Sequence, residues 1–230
     1  MKYQFFGDTH GEVHWKQLID PECIQVFLGD YFSPYREQSY ETCKSNLIDI
    51  LMYKTQHPDT ILLLGNHDIE AYVGEAYSRH DYQHAQEIFQ MFELNKNNFQ
   101  IAAAIGDYLI THAGVTKEWK DRRIPDADIN PQSLASAINQ LWADKKYSAF
   151  SFEGNAEYWD TYGETPRQSP MWIRWKQLCQ HNVFKGTPYK QIVGHTVDPD
   201  FKYCPNKADW NLICIDCMAY QPKSLILDIE

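Results

Sequence analysis

Tyr3-Gln4-Phe5-Phe6-Gly7-Asp8-Thr9-His10-Gly11 reads as a short buried strand that breaks at a glycine and delivers an aspartate and a histidine to its end. The same arrangement recurs along the chain. Gly29-Asp30-Tyr31 follows Ile24-Gln25-Val26-Phe27-Leu28, and Gly65-Asn66-His67-Asp68 follows Thr60-Ile61-Leu62-Leu63-Leu64. Thr111-His112-Ala113-Gly114 and Gly194-His195-Thr196 close two further apolar runs. A sheet can converge five such strand ends on one point. Manganese, iron and zinc accept this mixture of carboxylate, imidazole and amide oxygen, so the set reads as a two-metal hydrolase centre.

Spacing within the fragments adds detail. Asp8 and His10 are two apart, so at an extended strand end both side chains leave on one face and can grip one ion. Asp30 stands alone after its strand, suited to bridging two ions with its two oxygens. Asn66 and His67 are neighbours on a tight turn and point different ways, one to metal and the other toward substrate. Flanking glycines let the backbone approach a phosphate closely.

In this order, over residues 7 to 196, the fragments resemble the pattern G-D-x-H-G, G-D-x-x-D-R, G-N-H-[ED], H-[AG]-G and G-H-[TS] of the calcineurin-like metallophosphoesterases. Within them the chain is similar to the bacterial and phage branch of the serine/threonine phosphoprotein phosphatases, which also includes the symmetrical diadenosine tetraphosphate hydrolases. The resemblance implies a four-layer α/β/β/α sandwich with a dinuclear site at the strand ends. It implies that Asp8, His10 and Asp30 hold the first metal, and that Asp30, Asn66, His112 and His195 hold the second. Val197 stands where some relatives carry another histidine, so the first metal should keep a position open for water. His67 would be the non-ligand histidine that protonates the leaving oxygen. Arg174, in Ser169-Pro170-Met171-Trp172-Ile173-Arg174, resembles the tryptophan-x-arginine segment that presents a phosphate-binding arginine, whose planar guanidinium can hold two phosphate oxygens at once.

One fragment departs from that pattern. After Gly29-Asp30-Tyr31 the family continues with an aspartate that orients the catalytic histidine and an arginine that binds phosphate. Here those positions are Ser33 and Pro34. Ser33 is expected to accept a hydrogen bond from His67 without bringing charge. Arg36, two residues on, is the candidate to replace the missing arginine, with a solvated loop residue as the plainer alternative.

Composition agrees with one compact domain over residues 1 to 230, carrying a loop-rich aromatic insertion at about 145–175. With 43% hydrophobic residues, the 230-residue chain has material for one sizeable core. The net charge of -10 argues against nucleic acid or an anionic membrane as partner. No apolar run approaches the roughly 20 residues needed to span a bilayer. The first strand begins at once, leaving no room for a signal peptide. Six scattered cysteines point to a reducing, cytoplasmic setting. Cys214 and Cys217 have the spacing of a redox or zinc pair but sit in an apolar strand, which favours a structural role.

Strands are expected at Tyr3 to Phe6, Ile24 to Leu28 and Thr60 to Leu64, with a helix starting near Val13 and another over Gln38 to Gln56. Ile69 to Leu94 should form two helices broken near Ser78 to Asp81, and Asn98 to Thr111 a hairpin around Gly106. Pro131 to Ala143 reads as helix. Gln191 to Val193, Leu212 to Ile215 and Ser224 to Ile229 should complete the second sheet. His80 and His84 could stand one helical turn apart, most simply on a surface face. The stretch Phe150 to Trp175, with Tyr158, Trp159, Tyr162 and Trp172, is either a core-covering insertion or the wall of the substrate groove, the second favoured because Arg174 ends it.

The reaction expected of such a site is in-line attack on phosphorus by a hydroxide held between two cations about 3.5–4 Å apart. Arg174, and Arg36 beside it, would steady the developing charge, and His67 would give a proton to the departing alkoxide. The reading is a metal-dependent phosphatase acting on phosphoserine or phosphothreonine of a protein or peptide, or on a small phosphoester. Its cofactors would be two divalent ions, manganese first, with iron, zinc or nickel as alternatives. A hydrolase of diadenosine polyphosphates or other nucleotides is the alternative. A non-catalytic metal-binding interaction protein would have no reason to keep the whole ligand set. The oligomeric state is left open.

Overall fold

The computed structural model describes residues 1–36, 38–153 and 164–229. Strand β1 (Lys2–Phe6) leads through one helical turn, α1 (Trp15–Leu18), to β2 (Ile24–Phe27), α2 (Tyr40–Gln56) and β3 (Ile61–Leu63). Then come α3 (Glu70–Val73), α4 (Ala85–Leu94), β4 (Phe99–Gln100), β5 (Ala102–Ile105) and β6 (Tyr108–Thr111). The chain continues with α5 (Lys117–Arg123), α6 (Pro131–Ala143), α7 (Trp175–His181), β7 (Lys190–Val193), β8 (Lys202–Cys204), β9 (Leu212–Cys214) and β10 (Leu225–Asp228). Side-chain caps start the longer helices: Ser39 accepts from Thr42 N, and Asn130 from Ser133 N with Pro131 just inside the helix.

Two five-stranded sheets result, in the orders β10-β1-β2-β3-β4 and β5-β6-β7-β9-β8. Strands β1 to β4 run parallel, as do β6, β7 and β9. Alternation along the strands sets the layers. Phe5, Val26, Leu28 and Leu63 join Ala103, Ile105, Ile110, Ile192 and Ile213 in the core between the sheets. Their neighbours Phe6, Phe27 and Leu62 cluster with Cys43, Leu47 and Ile50 of α2. On the other outer face Ala102 and Leu109 cluster with Trp119 of α5 and with Leu134 and Ile138 of α6, while Val193 and Leu212 meet Leu178 of α7. This is the expected four-layer α/β/β/α sandwich. Full burial of one such large apolar side chain contributes about 1.5–3 kcal/mol.

Three expectations change. Residues 224 to 229 were expected in the second sheet, but β10 pairs antiparallel with β1 at the edge of the first, Lys2 opposite Asp228 and Phe5 opposite Leu225. The Met1 ammonium donates to Asp228 Oδ1 and Ile229 O, and Gln4 Nε2 to Ser224 Oγ, which ties the two ends of the chain together. The strand expected from Asn98 to Ile105 is divided at Ile101: β4 extends the first sheet beside β3, and β5 enters the second beside β6. Asn139 Oδ1 accepts from the Ile101 and Ala102 amides, so the crossing is held by α6. His80 and His84 are not a helical pair, since both precede the first residue of α4. His80 meets Glu70, and His84 binds Asp81 and stacks on Tyr40.

Elements α5, α7 and β8 had no counterpart in the sequence reading. Of the aromatic insertion, Phe150, Met171 and Trp172 are buried in the main cluster, whereas Tyr158, Trp159 and Tyr162 lie outside the described residues. Cys214 closes β9, and both it and Cys217 are buried and free. No helix among the described residues is long and apolar enough to cross a membrane.

Candidate metal centre

Asp8, Asp30, Asn66, His112 and His195 follow the carboxyl ends of β1, β2, β3, β6 and β7, where open parallel sheets present ligand-binding crevices. The turns are tied to one another through their backbones. Asp68 accepts from the amides of Asp30 (2.7 Å), Tyr31 (2.9 Å) and Gly65 (2.8 Å), locking the second turn to the third. The His67 amide donates to Asp30 Oδ1 at 2.9 Å, and the His195 amide meets both Asp8 oxygens at 3.1 Å. A Cβ on Gly65 would stand 2.2 Å from Asp30 Oδ1, and one on Gly194 2.1 Å from Asp8 Oδ1, so the carboxylates occupy space that only glycine leaves. Among the described residues, six non-glycine residues have positive φ, and five of them are His10, Asp30, Ser33, Arg79 and His195. Strained backbone concentrates at functional sites.

The imidazoles show what this framework is suited to hold. His10 Nδ1 lies 2.7 Å from the Phe32 carbonyl, an acceptor only, so Nδ1–H donates there and the Nε2 lone pair is left bare. That lone pair faces Asp30 Oδ2 at 3.5 Å and Asp8 Oδ2 at 3.9 Å. His112 repeats the device: Nδ1–H donates to the Leu28 carbonyl (2.9 Å), and Nε2 faces Asn66 Oδ1 at 2.9 Å and Asp30 Oδ2 at 3.5 Å. His195 Nδ1 reaches the same Asn66 oxygen at 2.9 Å. Ligand atoms of Asp8, Asp30 and His112 fall within 4.8 Å of one another. Two groups of electron pairs thus converge, with Asp30 common to both, and a cation in each would turn repulsion into coordination.

Electrostatics point the same way. Burial pushes His10 down to about 3, lowers His112, and holds His195 well below the usual imidazole range with help from the Arg174 charge. Neutral imidazoles are the ligating form. Burial, then the charges of Asp216 and Asp30, raise Asp8 well above the carboxylate range. Burial, then the charge of Asp30, likewise pushes Asp216 up to about 8. Burial would raise Asp30 too, but the imidazoles of His112, His67 and His10 outweigh it. Carboxylates crowded this closely are what a divalent ion neutralises. The residues present therefore fit a metal centre.

Beside the donor groups lies a second cluster. His67 Nδ1 is 3.0 Å from Glu70 Oε1, and its Nε2 is 3.2 Å from Arg79 Nη2. Arg79 also donates to the Ser33 carbonyl. Ser33 therefore receives an arginine through its backbone, and the acceptor for His67 is Glu70. Arg36 does not take the place expected of it: its Nη2 donates to the Ala219 carbonyl at 2.8 Å, and the guanidinium that meets His67 is Arg79's. Arg174, the residue before α7, acts through its charge on His195 and His112. Trp172 stands edge-on to His195, with ring centroids 5.5 Å apart, so part of the aromatic insertion does border the centre. Glu70 and Arg79 were missed by sequence reasoning. A glutamate three residues after His67 on a helical turn was a usable signal, whereas nothing local marks Arg79.

The model of the calcineurin-like phosphoesterase family matches residues 1–221. Among solved structures the chain is similar to the cold-active protein-tyrosine phosphatase of a psychrophilic Shewanella species, with 17% identity and a TM-score of 0.60 over 99% of this chain and 75% of that one. It is also similar to a protein serine/threonine phosphatase from Saccharomyces cerevisiae with similarity to human PP5, with 16% identity and a TM-score of 0.54 over 94% and 67%. At such identities the likeness is one of fold. No curated protein matches the sequence.

Proposed function

Since the chain belongs to the calcineurin-like phosphoesterase family, we propose that it is a protein phosphatase of the phosphoserine and phosphothreonine type, working on two divalent ions. Asp8, His10 and Asp30 would hold one ion, and Asp30, Asn66, His112 and His195 the other. The observation that carries this reading is the convergence of two imidazole nitrogens, His10 Nε2 and His112 Nε2, each 3.5 Å from the same oxygen of Asp30. When bound, such ions supply Lewis acidity, a water acidified toward neutral pH and neutralisation of phosphate charge; manganese suits this oxygen-rich donor set.

The chain's own groups do the rest. Arg174 holds phosphate oxygens on the side of His112 and His195. His67, fixed through its amide to Asp30 and through Nδ1 to Glu70, gives a proton from Nε2 to the leaving oxygen. Fixed carboxylates and amides around them need no reorganisation as charge develops. Phosphorylated proteins are favoured as substrates because the similar solved structures include a protein-tyrosine and a protein serine/threonine phosphatase. Free cysteines suit the reducing cytoplasm in which such substrates are abundant.

Specificity constants in Mn²⁺ for a phosphothreonine peptide, a phosphotyrosine peptide and diadenosine tetraphosphate test the proposal. The phosphothreonine peptide should be turned over best. A nucleotide preference of about a hundredfold or more would replace the protein-phosphatase reading with the dinucleotide one.

A further inference from the structure

We propose that Glu70 and Arg79 supply, from the segment after the Gly65–Asp68 turn, the histidine-orienting carboxylate and the phosphate-holding guanidinium that Ser33 and Pro34 cannot provide. The inference rests on the phosphoesterase reading of the site and names residues for tasks that reading leaves without an owner.

Glu70 opens α3, one turn after His67, and is 6% exposed. Its Oε1 lies 3.0 Å from His67 Nδ1 and accepts from the Tyr77 amide at 3.3 Å, while Oε2 meets His80 Nδ1. Arginine can only donate, so the 3.2 Å contact makes His67 Nε2 the acceptor from Arg79 Nη2 and Nδ1–H the donor to Glu70. The ring is thereby fixed at both ends; to act as the acid, Nε2 takes up a proton as Arg79 Nη2 turns from it to the phosphate. A buried carboxylate beside Nδ1 is the usual device for setting an imidazole's tautomer and direction.

Arg79 has the features of an anion receptor. It is exposed, and no ion pair joins it to a carboxylate among the described residues. Its guanidinium lies over the Tyr35 ring at 4.0 Å, and Tyr35 in turn meets His10 edge-on at 4.5 Å. The aromatic face holds the guanidinium in place, and Nη1 and Nη2, which give one N–H each to the Ser33 carbonyl and to His67 Nε2, each keep a second N–H for a phosphate oxygen. The backbone of Arg79 is left-handed, with φ 67°. The segment bearing it is pinned through Tyr77 and His80 to the same Glu70 carboxylate that orients His67. One negative and one positive charge are thus returned to the site at new positions in the chain.

Glu70 is argued to act through His67 as a positioning residue, and Arg79 by contact with phosphate; the two separate experimentally. Full-length protein reconstituted with Mn²⁺ is titrated calorimetrically with inorganic phosphate and assayed on p-nitrophenyl phosphate and on an alkyl phosphate. Arg79→Ala should weaken phosphate binding about tenfold or more, Arg79→Lys should not restore it, and added guanidinium should recover part of the lost hydrolysis. Glu70→Gln keeps an acceptor for His67 and for the Tyr77 amide, so phosphate binding and metal content should hold. Its kcat should fall ~10²-fold on the alkyl ester and much less on the nitrophenyl ester, whose leaving group needs little protonation. Unchanged phosphate affinity in Arg79→Ala, or equal losses on both esters in Glu70→Gln, would overturn the respective half. Were the parent protein to hydrolyse neither ester, the phosphoesterase reading would fail, while the phosphate titration would still decide Arg79.

Discussion

Asp8, Asp30 and Asp68 are held by backbone amides, and the imidazoles of His10 and His112 by backbone carbonyls. The side chains of His67, Glu70 and Arg79, on a flank beside these donors, are held mainly by one another and by a loop between α3 and α4. The difference teaches where such a site tolerates change. A donor tied to a strand end cannot move without breaking the turn that carries it. A carboxylate and an arginine that reach His67 through side chains can be delivered from any segment passing close enough.

The comparison predicts a ranking of mutational effects. Asp30→Asn should be the most damaging, because His10 Nε2 and His112 Nε2 both face its Oδ2. Elemental analysis should show loss of bound Mn²⁺, and activity should drop beyond the ~10²–10³-fold typical of deleting one electrostatic contact. His67→Asn should keep its metals and lose ~10²–10⁴-fold in rate, more on an alkyl than on a nitrophenyl phosphate. Equal metal loss in the two variants would erase the distinction between the flanks. Arg174→Ala should raise KM more than it lowers kcat, since Arg174 supplies positive charge beside His195 and His112.

How far the site was legible in the sequence follows the same division. Strand-end donors announce themselves because an apolar run and a polar residue are adjacent in the chain, with a glycine beside them, so Asp8, His10, Asp30, Asn66, His112 and His195 are legible in the sequence. Glu70 and Arg79 depend on the path of residues 74 to 82, set by the left-handed Gly74 (φ 73°) and the contacts of Tyr77 and His80 with Glu70. Local pattern does not encode that path. The fold divides likewise: layers and parallel strands followed from alternation, whereas the crossing at Ile101 and the return of β10 to β1 are tertiary choices made by Asn139 and by the paired chain ends.

Metal removal should expose the donor flank through stability. With Asp216 raised to about 8 and Asp8 raised as well, the folded metal-free protein keeps protons that the unfolded chain releases near pH 4. Below about pH 6.5 the three buried imidazoles, neutral only in the folded chain, oppose this contribution; above it they are neutral in both states, and stability falls as pH rises to about 8. Thermal melts in chelator should come lower at pH 8 than at pH 6.5, and Mn²⁺ at pH 8 should reverse the loss by binding only the folded chain. A melting point independent of pH, or unmoved by Mn²⁺, would break this part of the account. The smallest effect is expected of Arg36→Ala: its guanidinium is engaged by Ala219, so kcat/KM should stay within about twofold. A larger loss would return Arg36 to the phosphate-binding flank.

The central claim, that these strand ends form a dinuclear phosphatase centre, is tested most directly by reconstituting metal-free protein with Mn²⁺ and measuring bound metal and p-nitrophenyl phosphate hydrolysis on the same sample. The account predicts two ions per chain, with activity rising as the second site fills. Less than one ion per chain, with no hydrolysis in Mn²⁺, Ni²⁺ or Zn²⁺, would contradict it.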